Sequence, residues 1–292
     1  MRYAWSLLCL PLLVACSSPP PPPPVVALLT DFSETDDAVG LMRGVVLSLA
    51  PTVQLVDLTH QAPRFDVAAA ARLLSDAPEV YPPGTVFVVV VDPGVGTARR
   101  AVVARLDNGS FVVAPDNGVL TVLLGRQRGA VVREVTNRKL VRRDMSATFH
   151  GRDVFAPVGG HLAAGTPFED VGPVVEDWVK LELPEATQED SQLVGEVVGI
   201  DRPFGNVWTN VPGDWLPRQL KDRELVVQVG ELEFTLPLVA TFGDVPPGEP
   251  LLYVNSRGRL ALALNRGDFA ATHEVTTGAE VRVTVPQPRD PK

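Results

Sequence analysis

Residues 86–91 read Val-Phe-Val-Val-Val-Val, six apolar side chains without a break, and Asp92 follows at once. A strand with one wet face alternates apolar and polar residues. An unbroken run belongs to a strand covered on both faces, the usual state of a central strand in a parallel sheet. The surrounding pattern agrees. Residues 25–29 are a short apolar run ending at Thr30-Asp31 and read as a buried strand. Asp36-Asp37 opens a helical spacing of Val39, Leu41, Met42, Val45, Val46 and Leu49, with acid where a helix N-terminus favours it. A strand at 53–58 and an Ala-rich helix at 67–74 come next, and after the central run come strands near 101–105 and 110–114 and a helix at 154–164. This alternation predicts an α/β domain over 25–180, a mostly parallel sheet with flanking helices.

Residues 181–191 are polar and acidic with one proline, and read as a linker. Beyond them the pattern changes. Short strands are predicted at 194–200, 225–229, 233–238, 251–254, 260–264 and 281–285, separated by turn residues, with no helix of convincing length. Residues 192–292 therefore read as a small all-β domain, a barrel or a sandwich. A length of 292 residues suits two domains.

Composition narrows the function. The chain carries 26 Lys+Arg against 35 Asp+Glu, a net charge of -9. That balance argues against nucleic acid, which asks for a basic face. Aromatic content of 6% argues against a base-stacking platform. The two cysteines, Cys9 and Cys16, are too few for a disulfide scaffold or a Cys-based zinc site.

Both cysteines fall at the start of the chain. Arg2 is the one charge before Asp31, and residues 3–14 are an apolar run too short to span a bilayer. A positive start, an apolar centre and the small-residue exit Leu13-Val14-Ala15-Cys16 read as a secretory signal over 1–15. The exit resembles a bacterial lipobox, in which Cys16 becomes the lipidated first residue; the other reading is an ordinary signal with an incidental cysteine. Cleavage would remove one positive charge, Arg2, and leave -10. Six consecutive prolines, Pro19 to Pro24, make 16–24 a stiff tether of roughly 20 Å. The expected location is the cell envelope, as a periplasmic or outer-membrane lipoprotein.

Four polar segments stand next to strand ends, where open α/β sheets bind ligands. They run over 30–37, 92–99, 148–153 and 201–206. Each has a bland explanation. Asp36 or Asp37 would cap a helix. Gly94-Val95-Gly96 would be a turn, lacking the third glycine of a dinucleotide fingerprint and the lysine of a P-loop. Asp92 would pair with Arg99, His150 would be a core histidine, and Asp153 with Arg152 would be a surface pair worth little. No ligand spacing supports a metal site, and no GxSxG elbow is present.

Together the segments are more specific than any one alone. Leu29-Thr30-Asp31-Phe32, residues 92–99, Ala114-Pro115-Asp116-Asn117-Gly118, residues 149–157, Phe204-Gly205-Asn206 with Thr209-Asn210, and Asn255-Ser256-Arg257-Gly258 occur in that order. In them the chain resembles the S-adenosyl-L-methionine (SAM) hydroxide adenosyltransferase family, the SAM hydrolases related to the fluorinating and chlorinating enzymes. The resemblance implies a seven-stranded α/β domain, a β-barrel domain, and a homotrimer with sites between neighbouring subunits. It implies hydrolysis of SAM to adenosine and methionine, with SAM as substrate, no cofactor and no metal.

By the same resemblance the catalytic set is Asp92, Arg99 and His150. Asp92 would hold the water, Arg99 would pair with Asp92 and keep it charged, and His150 would complete the hydrogen bonds. Asp31 corresponds to the carboxylate on the ribose hydroxyls. Asp36 and Asp201 correspond to those near the methionine amino group, and Ser256 and Arg257 to the pair on its carboxylate. Phe204 and Asn206, with Trp208 close by, fall where adenine is held. Asn117 and Asp153 would be structural support. Ser33 stands where glycine is usual, Ala38 where a larger or hydroxylated residue is common, and Arg266 in a small-residue place. A carboxylate at Asp92 would repel fluoride or chloride, which argues against halogenation. Two alternatives stay open: a lipid-anchored adenosine or SAM binder with little catalysis, and substitution on another 5′-activated nucleoside.

Overall fold

A computed structural model describes residues 22–286; the signal segment 1–15 and Cys16 lie outside the described residues. The first half is one six-stranded sheet in the order β2-β1-β3-β5-β4-β6. Its strands are β1 (Val25–Thr30), β2 (Gln54–Thr59), β3 (Val86–Val90), β4 (Ala101–Arg105), β5 (Phe111–Pro115) and β6 (Val131–Glu134). β1, β2, β3 and β5 are parallel, whereas β4 runs antiparallel to both neighbours. The expected seventh strand is reduced to a bridge between Arg133 and Val174 beside β6.

The unbroken run in β3 has the predicted cause. Val86, Val88 and Val90 face a core with Met42, Val46, Phe155 and Val158, while Phe87, Val89 and Val91 face another with Ala70, Leu74, Val112 and Leu123. The helices covering these faces are α1 (Asp37–Leu49), α2 (Val67–Leu74), α3 (Ala77–Val80), α4 (Thr121–Leu124) and α5 (Ala156–Ala163). Asp36 caps α1 and Asp66 caps α2 through their side chains. The helix predicted at 154–164 is preceded by a π-turn, Gly151–Phe155. Pro157 supplies a reason: it has no N–H for the carbonyl of Asp153, and Arg142 N–H takes that carbonyl instead at 2.9 Å.

The second half is a closed barrel. β8 (Gln192–Asp201) pairs with β9 (Asn206–Pro212); β10 (Glu224–Val229), β11 (Leu232–Val239), β12 (Pro250–Val254), β13 (Arg259–Leu264) and β14 (Glu280–Thr284) complete the ring. The ten-residue β8 closes it by giving its first half to β14 and its second half to β9. Closure leaves no open edge in the ring. One short helix, α6 (Phe269–Thr272), plugs against Phe234. The stretch 181–191 is fastened at both ends: Leu181 N–H bonds Thr121 Oγ1 at 2.9 Å, and β7 (Thr187–Glu189) pairs with β8.

α5 approaches β3 closely: a Cβ at Gly159 would stand 2.4 Å from Val88 Cγ2. Gly159→Val is expected to destabilise by about 1–3 kcal/mol, as overpacked cores do. Gly44→Ala, on an open face of α1, is expected to be neutral or stabilising by up to about 1 kcal/mol. Calorimetric melting of both variants checks the contrast.

Candidate active site

The parallel strands all end on the same side of the sheet, so Asp31 after β1, His60 after β2 and Asp92 after β3 share one edge. The turn following Asp92 is tied by Val95 N–H to the Asp92 carbonyl and by Thr97, whose N–H and hydroxyl both bond the Gly94 carbonyl. Gly96 has φ +80°, and a Cβ there would meet the Ala147 carbonyl at 2.6 Å. Only glycine lets the turn lie this close to the segment carrying His150.

The turn delivers Arg99 to Asp92 and His150. Arg99 Nε donates to Asp92 Oδ1 at 2.9 Å, and Nη2 donates to Asp92 Oδ2. The same Nη2 donates to His150 Nδ1 at 2.8 Å. The carboxylate side chain is 4% exposed and the guanidinium 10%. The guanidinium rests 5.0 Å above the Phe155 ring. Guanidinium has no acceptor, so His150 Nδ1 accepts and the proton of the neutral ring sits on Nε2. Burial, then the Arg99 charge, holds the His150 pKa below its ordinary value, against the opposing pull of Asp92 and Asp153.

Asp153 is no surface pair. It is fully buried, receiving Arg152 Nε at 2.7 Å and Ser146 N–H at 2.8 Å. Burial opposes its charge, but these bonds and the charges of Arg152 and Arg142 win and hold its pKa below the usual range. Asn117 bonds the Val91 carbonyl at 2.9 Å and Val119 N–H, pinning the end of the central strand.

Of the substrate-side residues, Asp31 accepts Phe65 N–H at 2.9 Å. Asp36 spends one oxygen capping α1 through Ala38 N–H. In the barrel, Asp201 ends β8 and Asn206 opens β9, buried and 3.4 Å from Asp201. Burial, then Asp201, pushes the Tyr253 hydroxyl up to about 12. Arg257 stacks 5.1 Å over Trp208 and pairs through Nε with Asp76 of the first domain at 3.0 Å. Phe204 is 64% exposed, and Ser256 is exposed beside Arg257. Asp201, Trp208 and Arg257 line a cleft of about 770 Å³ between the two domains, together with Asp57, His60 and Asp66. Asp31, Asp92, Arg99 and His150 do not line it. Within one chain Asp92, Arg99 and His150 are bonded to one another, and Asp201, Trp208 and Arg257 share the cleft, which the Asp92 set does not line. Two departures have backbone consequences: Ser33 (φ +73°) and Arg266 (φ +59°) hold left-handed conformations that glycine would take more cheaply.

His60 is bonded to Thr30 and Asp57. Among the described residues, no group of three or more His, Cys, Asp or Glu is placed to hold a metal ion.

His150 is expected to titrate below 6.5 in the folded chain, and Arg99→Met is expected to raise its pKa by removing one of the two lowering causes. The folded chain then binds fewer protons here than the unfolded chain. Stability from this group is present above 6.5 and lost as pH falls through the folded value. Imidazole resonances followed by NMR check both the position and the direction.

The family model for the SAM hydroxide adenosyltransferase N-terminal domain matches residues 26–172, and that for the C-terminal domain matches residues 195–282. The chain is 43% identical over 264 residues to the (R)-S-adenosyl-L-methionine hydrolase of Salinispora tropica, covering 87% of this chain and 95% of that protein. It is 34% identical over 287 residues to the fluorinase of an Actinoplanes species, covering 88% and 96%. A crystal structure of a conserved protein from Thermotoga maritima superposes with a TM-score of 0.84 at 39% identity, covering 89% of this chain and 99% of that one. The chain belongs to the SAM hydroxide adenosyltransferase family.

Proposed function

We propose that this enzyme hydrolyses SAM to adenosine and L-methionine by in-line attack of water at C5′. The observation that carries the reading is the bonded set Asp92–Arg99–His150 at the sheet edge. The sulfonium already activates C5′, and its leaving group is a neutral thioether that asks for no acid. As the water oxygen bonds C5′, the C5′–S bond breaks and its electron pair stays on sulfur. The task left to the protein is placing and polarising water. Asp92, aligned by two guanidinium nitrogens, accepts the water's proton; neutral His150 offers its Nε2–H to the water oxygen. A fixed carboxylate at this point disfavours a halide nucleophile.

On the substrate side Asp31 takes the ribose hydroxyls, and Asp36 and Asp201 lie near the methionine amino group. Ser256 and Arg257 take its carboxylate, and Phe204, Asn206 and Trp208 hold adenine. The separation of the two halves within one chain supports a site completed by a neighbouring subunit, in a homotrimer. The leader, Cys16 and the proline tether support a lipid-anchored envelope protein. That location favours one competing reading, a binder of adenosine or SAM with little turnover, because an exported chain meets little of a cytoplasmic metabolite.

Purified protein lacking residues 1–15 is expected to convert SAM to adenosine and methionine equally with halide present or absent. Asp92→Ala is expected to lose about 10²–10⁴-fold in kcat while adenosine affinity holds within about threefold. Chromatography of products beside calorimetry of binding separates the readings: tight binding with a flat product trace identifies a binder. A 5′-haloadenosine product overturns hydrolysis.

A further inference from the structure

The catalytic set leaves one buried histidine unused. His60 is 3% exposed and is bonded on both ring nitrogens. Its Nε2 lies 2.9 Å from Asp57 Oδ1, and Asp57 is ion-paired with Arg43. Its Nδ1 lies 2.9 Å from the hydroxyl of Thr30, which is fully buried. A carboxylate only accepts, so Nε2 carries a proton, and in that tautomer Nδ1 accepts from Thr30. The Thr30 hydroxyl, with its proton committed to His60, has a lone pair aimed at Phe32 N–H, 3.3 Å away. That bond spans Asp31. Two backbone bonds reinforce it, Ser33 N–H to the His60 carbonyl at 2.8 Å and Ala62 N–H to the Thr30 carbonyl at 3.2 Å. Phe65 N–H, at the end of the same loop, bonds Asp31 Oδ2.

We infer that Arg43, Asp57, His60 and Thr30 form a directional hydrogen-bond chain whose task is to aim the Asp31 carboxylate at the two ribose hydroxyls. These are positioning residues that act through Asp31. The inference rests on the ribose role of Asp31 proposed above. A chain of this length, set in order by one carboxylate acceptor, fixes a turn that holds Ser33 in a left-handed conformation. It also explains why Thr30 is a hydroxyl residue although its side chain is sealed from solvent.

The signature is specific for hydroxyls. The full chain is titrated calorimetrically with adenosine and with 2′,3′-dideoxyadenosine. The unmodified protein is expected to prefer adenosine by about tenfold or more, the scale of hydrogen bonds to a charged group. Thr30→Val and His60→Leu are expected to cut that preference at least about fivefold while dideoxyadenosine affinity stays within about twofold. Thr30→Ser, which keeps the hydroxyl, is expected to restore it; should His60→Leu not fold, the Thr30 pair decides alone. Equal weakening of both ligands, or an unchanged preference, overturns the inference. Asp31→Asn separates the two levels. If it erases the preference while Thr30→Val leaves it, the chain through His60 is wrong and the ribose role stands. If Asp31→Asn keeps the preference, the ribose role fails and the inference with it.

Discussion

The Arg99 guanidinium is bonded on two sides, to the carboxylate of Asp92 and to the ring of His150, and little of it reaches solvent. A buried pair of this kind is costly to assemble, because both charges leave water, and costly to break, by about 3–5 kcal/mol when one partner is removed. The surrounding architecture is arranged to meet that cost. The central strand ends just before Asp92, a glycine turn presses against the 147 loop, and the Phe155 ring lies beneath the guanidinium. Arg99 also decides chemistry elsewhere in the set. As a pure donor it makes His150 Nδ1 an acceptor, which leaves the opposite nitrogen with its proton for a ligand.

The barrel contributes by a different route. Its closure through β8 leaves Asp201 at the end of one strand and Asn206 at the start of the next, so the two sit beside each other without any long-range charge pair. Arg257 lies over Trp208 and is ion-paired with Asp76 of the first domain through Nε. Asp201, Trp208 and Arg257 face a cleft in their own chain, while the Asp92 centre lies off it.

Much of this was legible in the sequence because it follows from period and burial. The run at 86–91 announced a strand buried on both faces, and Asp36 announced its own helix cap. The closed barrel is one of the two folds that the short strands after 191 suggested. What escaped depended on partners distant in sequence. β9 begins at Asn206 within a segment that reads as a polar loop, since only its pairing with β8 and β13 makes it a strand. β6 is four residues at a sheet edge, too short to show a period. The π-turn at 151–155 follows from Arg142 taking a carbonyl that Pro157 cannot, and Asp153 looked like half of a surface pair with Arg152 because Arg142 and the Ser146 amide join it only in the fold. His60 gave no signal beyond being a histidine. A hydroxyl residue at the end of an otherwise apolar strand, Thr30, was the clue available.

The account turns on water being delivered to C5′ opposite the departing sulfur. SAM stereospecifically deuterated at C5′ and turned over in heavy-oxygen water tests this most directly. The predicted result is adenosine with the heavy oxygen in its 5′-hydroxyl and inverted configuration at C5′. Heavy oxygen appearing elsewhere, or retained configuration, would contradict it.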